Sequence, residues 1–168
     1  MSNTAVVVMG VSGCGKSTVG KACAEALGWD FVDGDDFHSE ASIAKMRAGE
    51  PLTDSDRAEW LRRLSELLAD ALANDRRLFL PCSALRRAYR EQLRSAHPGL
   101  RFVFLSLTQD DALARVSQRH GHFFAPALVA SQFATLESPV NEDGVLTVDA
   151  MVPVRTLVDQ VSTWLIRA

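Results

Sequence analysis

Near the N-terminus, eight residues, Gly10-Val11-Ser12-Gly13-Cys14-Gly15-Lys16-Ser17, follow the spacing G-x-x-x-x-G-K-[ST]. Glycines so placed let the backbone curl until successive N–H groups converge, which makes a cradle for an anion. A helix starting near Lys16 adds its positive end. In such a cradle Lys16 spans the β- and γ-phosphates of a nucleotide, Ser17 offers its hydroxyl to Mg²⁺, and Thr18 reaches the α-phosphate. Cys14 is a thiol at a helix N-terminus, where a lowered pKa would favour redox chemistry. The loop needs only a small side chain there, and that is the reading preferred.

Transfer of a phosphoryl group also needs a residue that positions the acceptor hydroxyl. Asp33 and Asp35 stand two apart on an extended segment and therefore share a face. We assign Asp33 to hydrated magnesium and Asp35 to the acceptor; the alternative is that both acids only cap the loop that follows.

The elements that must hold these groups alternate along the chain. Thr4 to Met9 is a β-branched apolar run, the pattern of a strand buried on both faces. Lys16 to Leu27 carries apolar residues at helical spacing and stops at Gly28. Phe31-Val32 is a short strand, Ser42 to Arg47 a short helix, and a longer helix starts after Thr53, whose hydroxyl forms a cap with Asp56. Trp60, Leu61, Leu64, Leu68 and Ala71 give that helix an apolar face. Strands follow at 78–82, where Pro81 marks a strand end or bulge, at 102–107 and at 145–148. Helices are expected at 84–96, 110–119, 126–136 and 154–166. Five strands alternating with helices predict an α/β fold, with right-handed crossovers and a parallel sheet covered on both faces.

Composition narrows the setting. The 168 residues, 47% hydrophobic and 23% charged, suit one domain spanning 1–168. A net charge of −3 gives no global attraction to nucleic acid or an anionic membrane. No apolar run is long enough to span a bilayer, and no signal peptide is evident. Cys14, Cys23 and Cys82 lack C-x-x-C spacing, so neither a disulfide framework nor a zinc knot is favoured and a cytoplasmic location fits best.

The chain also closely resembles the gluconate kinase family of small P-loop kinases. The resemblance rests on Met9 to Ser17, Asp33-Gly34-Asp35-Asp36-Phe37-His38, Lys45-Met46 and Gly49-Glu50-Pro51-Leu52. It continues through Asp54, Asp56-Arg57, Trp60-Leu61, Cys82-Ser83-Ala84-Leu85, Tyr89-Arg90, Arg94, Gly121-His122-Phe123, Ser131-Gln132-Phe133 and Leu136-Glu137 with Pro139. It implies a P-loop kinase fold with a five-stranded parallel sheet, ATP with Mg²⁺, gluconate as acceptor, and a homodimer. A polyhydroxylated carboxylate needs acceptors for its hydroxyls and a cation for its carboxylate. On that basis Asp35 and His38 take hydroxyls, Lys45 approaches from its helix, and Arg90 clamps the carboxylate with Arg86 four residues earlier on one helical face. For Arg86, Arg87 and Arg94 a solvated basic helix is the competing reading.

Residues 119–127 resemble a lid, with Arg119 first and Arg115 second as the cation that neutralises charge on the transferred group, and with His122 positioning lid or substrate. His120 and His122 lack the further ligands of a metal site. The chain departs from the family at Ser39, Ser42, Glu59, Pro81 and Arg86, differences that bear on affinity or acceptor choice. Shikimate kinase is the nearest rival, but its usual glycine triplet is replaced here by Cys82-Ser83-Ala84-Leu85. An inactive nucleotide or sugar-acid sensor is a further alternative, and no N-K-x-D guanine motif occurs.

Overall fold

The computed structural model describes residues 4–118 and 128–167. In chain order the elements are β1 (Ala5–Met9), α1 (Lys16–Leu27), β2 (Asp30–Phe31), a 3₁₀ turn (Gly34–Phe37), α2 (Glu40–Arg47), α3 (Asp54–Ala73), β3 (Leu78–Pro81), α4 (Arg87–Ala96), β4 (Arg101–Ser106), α5 (Gln109–Ser117), α6 (Leu128–Thr135), β5 (Val145–Asp149) and α7 (Val154–Arg167). The strands form one sheet in the order β2-β3-β1-β4-β5, and every pairing is parallel.

β1 is buried throughout because it lies at the centre of a sheet covered on both faces. Its side chains divide by the period of two. Ala5, Val7 and Met9 pack with Trp60, Leu64 and Leu68 of α3 and Leu93 of α4. Val6 and Val8 pack with Val19 and Cys23 of α1 and with Leu157, Val161 and Leu165 of α7. A third cluster, of Val11, Leu85, Ala112, Val116 and Val129, joins the loop after β1 to α5 and α6.

Local chemistry sets the boundaries. Gly28 closes α1 in the left-handed conformation, and the capping box of Thr53 and Asp56 opens α3. Pro81 ends β3. Cys82 N–H donates to the Val8 carbonyl, so Pro81, one residue earlier, faces the opposite side, where β2 has already finished.

One expected helix starts late. Residues 84–86 are not helical, and α4 begins at Arg87. Ala84 takes a φ of 46°, its carbonyl accepts from Arg90 Nη1 at 2.7 Å, and the Leu85 carbonyl accepts from Glu137 N–H. These long-range partners draw the segment off the helix axis. Arg86 becomes the exposed residue preceding α4, so it does not share a helical face with Arg90.

Candidate active site

The carboxyl ends of β1, β2 and β3 open on one edge of the sheet, where ligands bind in open α/β folds. Gly10 to Ser17 leaves β1 and runs into α1. Gly13 sits at φ 87°, and a Cβ there would lie 2.7 Å from the Ala112 carbonyl oxygen, so this bend accepts only glycine. Lys16 Nζ curls back to donate to the Val11 carbonyl at 3.1 Å. Ser17 Oγ lies 2.8 Å from Asp33 Oδ2. Thr18 is exposed. Cys14 is buried, and burial pushes its thiol pKa up, which removes the redox reading.

Ser17 and Asp33 place a hydroxyl and a carboxylate side by side at the helix N-terminus. That donor set suits Mg²⁺, which keeps several waters and takes few protein oxygens. Asp33 Oδ1 also accepts from Asp35 N–H at 3.0 Å, which fixes the turn that presents Asp35. The turn needs Gly34, because a Cβ there would meet the Pro81 carbonyl oxygen at 2.3 Å. Trp60 Nε1 donates to the Gly34 carbonyl at 2.8 Å and pins the same turn to α3. Burial raises the Asp35 pKa above its ordinary value; the Lys16 charge opposes this, and Asp33 and Asp36 add to it. A carboxylate with a raised pKa accepts a proton more readily.

His38 stacks on Trp60 with ring centroids 4.3 Å apart, and burial, aided by the Arg57 charge, lowers its pKa to about 4. It is a neutral ring at pH 7. His38, whose Nε2 lies 3.9 Å from Asp35 Oδ1, lines one small cleft with Arg57, Ser83, Ser131 and Gln132 and with the apolar Met46, Pro51, Leu52, Trp60, Leu85 and Leu128. Arg57 is half-buried, with one Nη1 hydrogen bond to Tyr89 at 3.4 Å among the described residues. It belongs to the motif block Asp56-Arg57, which was the available signal, yet our sequence reading gave it no role.

Other expected acceptor residues stand elsewhere. Arg90 does not face the cleft: it is 0% exposed, and its guanidinium pairs in bidentate fashion with Glu142 at 3.0 and 2.6 Å while also donating to the Ala84 and Glu137 carbonyls. Its function as a carboxylate clamp is therefore corrected to that of a buried tie. Lys45 is held by Asp56 at 2.8 Å. Arg86 lies at the surface next to the Leu85 edge of the cleft. Arg94 pairs with Glu142 and Glu91 and covers the Phe102 ring, and Arg87 is exposed.

Arg115, on α5, donates to the Gly13, Cys14 and Ala150 carbonyls at 3.1 to 3.3 Å. It lines a second cleft with Gly15, Thr18, Val152 and Val154. Arg119 and His122 lie outside the described residues, as does the whole of 119–127.

Comparison with known proteins agrees with this geometry. A family model for shikimate kinase matches residues 12–138. The gluconokinase of Gluconobacter oxydans is 43% identical over 143 residues, covering 85% of this chain and 80% of that protein. The thermoresistant gluconokinase of Escherichia coli is 40% identical over 153 residues, covering 90% and 87%. The crystal structure of a gluconokinase from Sinorhizobium meliloti superposes with a TM-score of 0.88 at 42% identity, covering 98% of this chain and 93% of that one. Identity at this level across most of each chain, on a shared parallel sheet with a phosphate loop after its first strand, places the chain in the gluconokinase family of P-loop kinases.

Proposed function

We propose that this kinase transfers the γ-phosphoryl group of ATP to gluconate and releases 6-phosphogluconate and ADP. The observation that carries the reading is the chain of contacts from Ser17 to Asp33 to Asp35, which sets a magnesium-type oxygen pair beside a carboxylate of raised pKa that neighbours His38 of the cleft. Gly10, Val11, Ser12, Gly13, Cys14 and Gly15 supply the curved main chain for the phosphates, and Lys16 balances their charge. Ser17 and Asp33 would hold Mg²⁺, which when bound neutralises charge on the β- and γ-phosphates. Asp35 orients the acceptor hydroxyl and takes its proton as the oxygen bonds to the γ-phosphorus. Neutral His38 exchanges hydrogen bonds with sugar hydroxyls, and Arg57 meets the carboxylate. The second cleft, beside Arg115 and Thr18, suits the nucleoside end of ATP.

A homodimer and a cytoplasmic setting belong to the same reading. Three buried, unpaired cysteines fit a reducing compartment, and no helix among the described residues is long and apolar enough to cross a membrane.

The test is ADP release with gluconate, shikimate and a panel of related sugar acids. Shikimate belongs in the panel because of the family model, while relatives at about 40% identity favour gluconate. Asp35→Asn is expected to lower kcat by about 10² to 10⁴ while ATP affinity holds. Full turnover by Asp35→Asn removes its assigned role.

A further inference from the structure

Gln132 lies on α6, 120 positions from the phosphate loop in sequence, yet its Oε1 accepts from Ser12 N–H at 2.6 Å. That contact decides which way round the amide sits. Ser12 presents an N–H, so the atom meeting it must be the oxygen, because an NH₂ group there would set two donors face to face. The Nε2 donors are thereby turned away from the loop. Gln132 also lines the cleft shared by His38, Arg57, Ser83 and Ser131. One half-buried side chain therefore touches both the loop for the phosphoryl donor and the cleft that His38 and Arg57 line.

We propose that Gln132 is a specificity-determining residue for the acceptor: locked through its oxygen onto Ser12, it offers Nε2–H to one oxygen of the incoming hydroxy acid. The inference rests on the kinase reading above and extends it. Asp35 accepts a hydrogen bond, and Arg57 carries charge to a carboxylate. A neutral amide donor suits a hydroxyl oxygen in between, and because its other end is fixed to Ser12, the acceptor is registered against the loop that holds the γ-phosphate. An acid lacking the matching oxygen leaves Nε2–H unpaired in the cleft and is discriminated against.

The experiment is a cycle between side chain and substrate. Steady-state kinetics of ADP release are measured for wild type and Gln132→Met on gluconate and on its monodeoxy derivatives, with ATP varied separately. Gln132→Met is expected to lower kcat/KM for gluconate about tenfold to a hundredfold, the effect of one hydrogen bond to a polar or charged group, with a smaller rise in the KM for ATP because Ser12 N–H also loses its acceptor. For one deoxy derivative, at saturating ATP, the two enzymes should give equal kcat/KM, because the contact is already missing. A uniform loss on every acceptor, or an equal rise in the KM for ATP, overturns the proposal and leaves Gln132 as a brace for the loop; so does an unchanged kcat/KM. Wild-type turnover of gluconate is read first. A wild type silent on gluconate overturns the kinase reading and this inference together, whereas an active wild type with a uniform loss overturns only the inference. Should Gln132→Met not fold, Gln132→Glu preserves side-chain length and the acceptor for Ser12, removes the donor, and carries the same cycle.

Discussion

Arg90 gives the sharpest test, because its sequence pattern and its surroundings assign it different work. Arg90→Ala removes both arms of the pair with Glu142, two hydrogen bonds to main-chain carbonyls, and the packing of the arginine stem. Glu142, whose side chain is 8% exposed, would keep only Arg94 at 2.9 Å. Breaking one side of a buried pair costs about 3–5 kcal/mol, and the surviving Arg94 contact draws the ionic part toward the lower end. The two carbonyls add about 1 kcal/mol each, so the sum is about 5 kcal/mol. For a domain of this size that is a fall in Tm of roughly 10–20 °C. The assay is urea unfolding without ligand, followed by far-UV circular dichroism, on wild type, Arg90→Ala, Glu142→Gln and the double variant. Since each single variant breaks the same pair, the double should be less destabilised than the sum of the singles by about 2 kcal/mol. Arg90 is also the main cause holding the Glu142 pKa below its ordinary 4.5. This stabilisation is complete above that range and lost as pH falls through the depressed value. A stability for Arg90→Ala within about 0.5 kcal/mol of wild type, together with a selective rise in gluconate KM, would refute the buried tie and restore a substrate clamp.

Three further outcomes follow from the same geometry. Gly34→Ala drives a Cβ to within 2.3 Å of the Pro81 carbonyl oxygen and should cost about 1–3 kcal/mol in a urea melt with a fall in turnover; unchanged stability and kcat would contradict the close approach. Burial keeps His38 neutral, with a pKa of about 4 against an ordinary 6.5, so the folded state binds fewer protons than the unfolded one between those values. Stability should accordingly be full above about pH 6.5 and decline by up to roughly 3 kcal/mol as pH falls toward 4, in part cancelled in His38→Gln; an identical pH slope in that variant would exclude His38 as a source. Arg57→Ala should raise the gluconate KM about tenfold or more while the ATP KM stays put, and equal effects on both would move Arg57 out of the acceptor cleft.

Much of the fold was legible because its signals are local. The α1 limits at Lys16 and Leu27, the Thr53–Asp56 box and the buried run of β1 each follow from residues within a few positions of one another. Ala84-Leu85-Arg86 has helix-forming composition and is nevertheless not helical, because Arg90 and Glu137 claim its carbonyls. The site divides in the same way. The phosphate loop and the Asp33–Asp35 turn are contiguous and readable. The burial of Arg90 depends on Glu142, 52 positions away, and spacing along α4 carries no trace of it. Arg57 and Gln132 sat inside recognised motif blocks, but only the folded chain brings them to one cleft.

Arg115 has one consequence for how the nucleotide is received. By bonding the Gly13 and Cys14 carbonyls from outside, its guanidinium orients those peptide planes so that their oxygens face away from the loop interior. Much of the ordering that an anion would otherwise impose on a glycine-rich strap is completed during folding. The loop is preorganised, and less of the binding energy is spent immobilising it when ATP arrives.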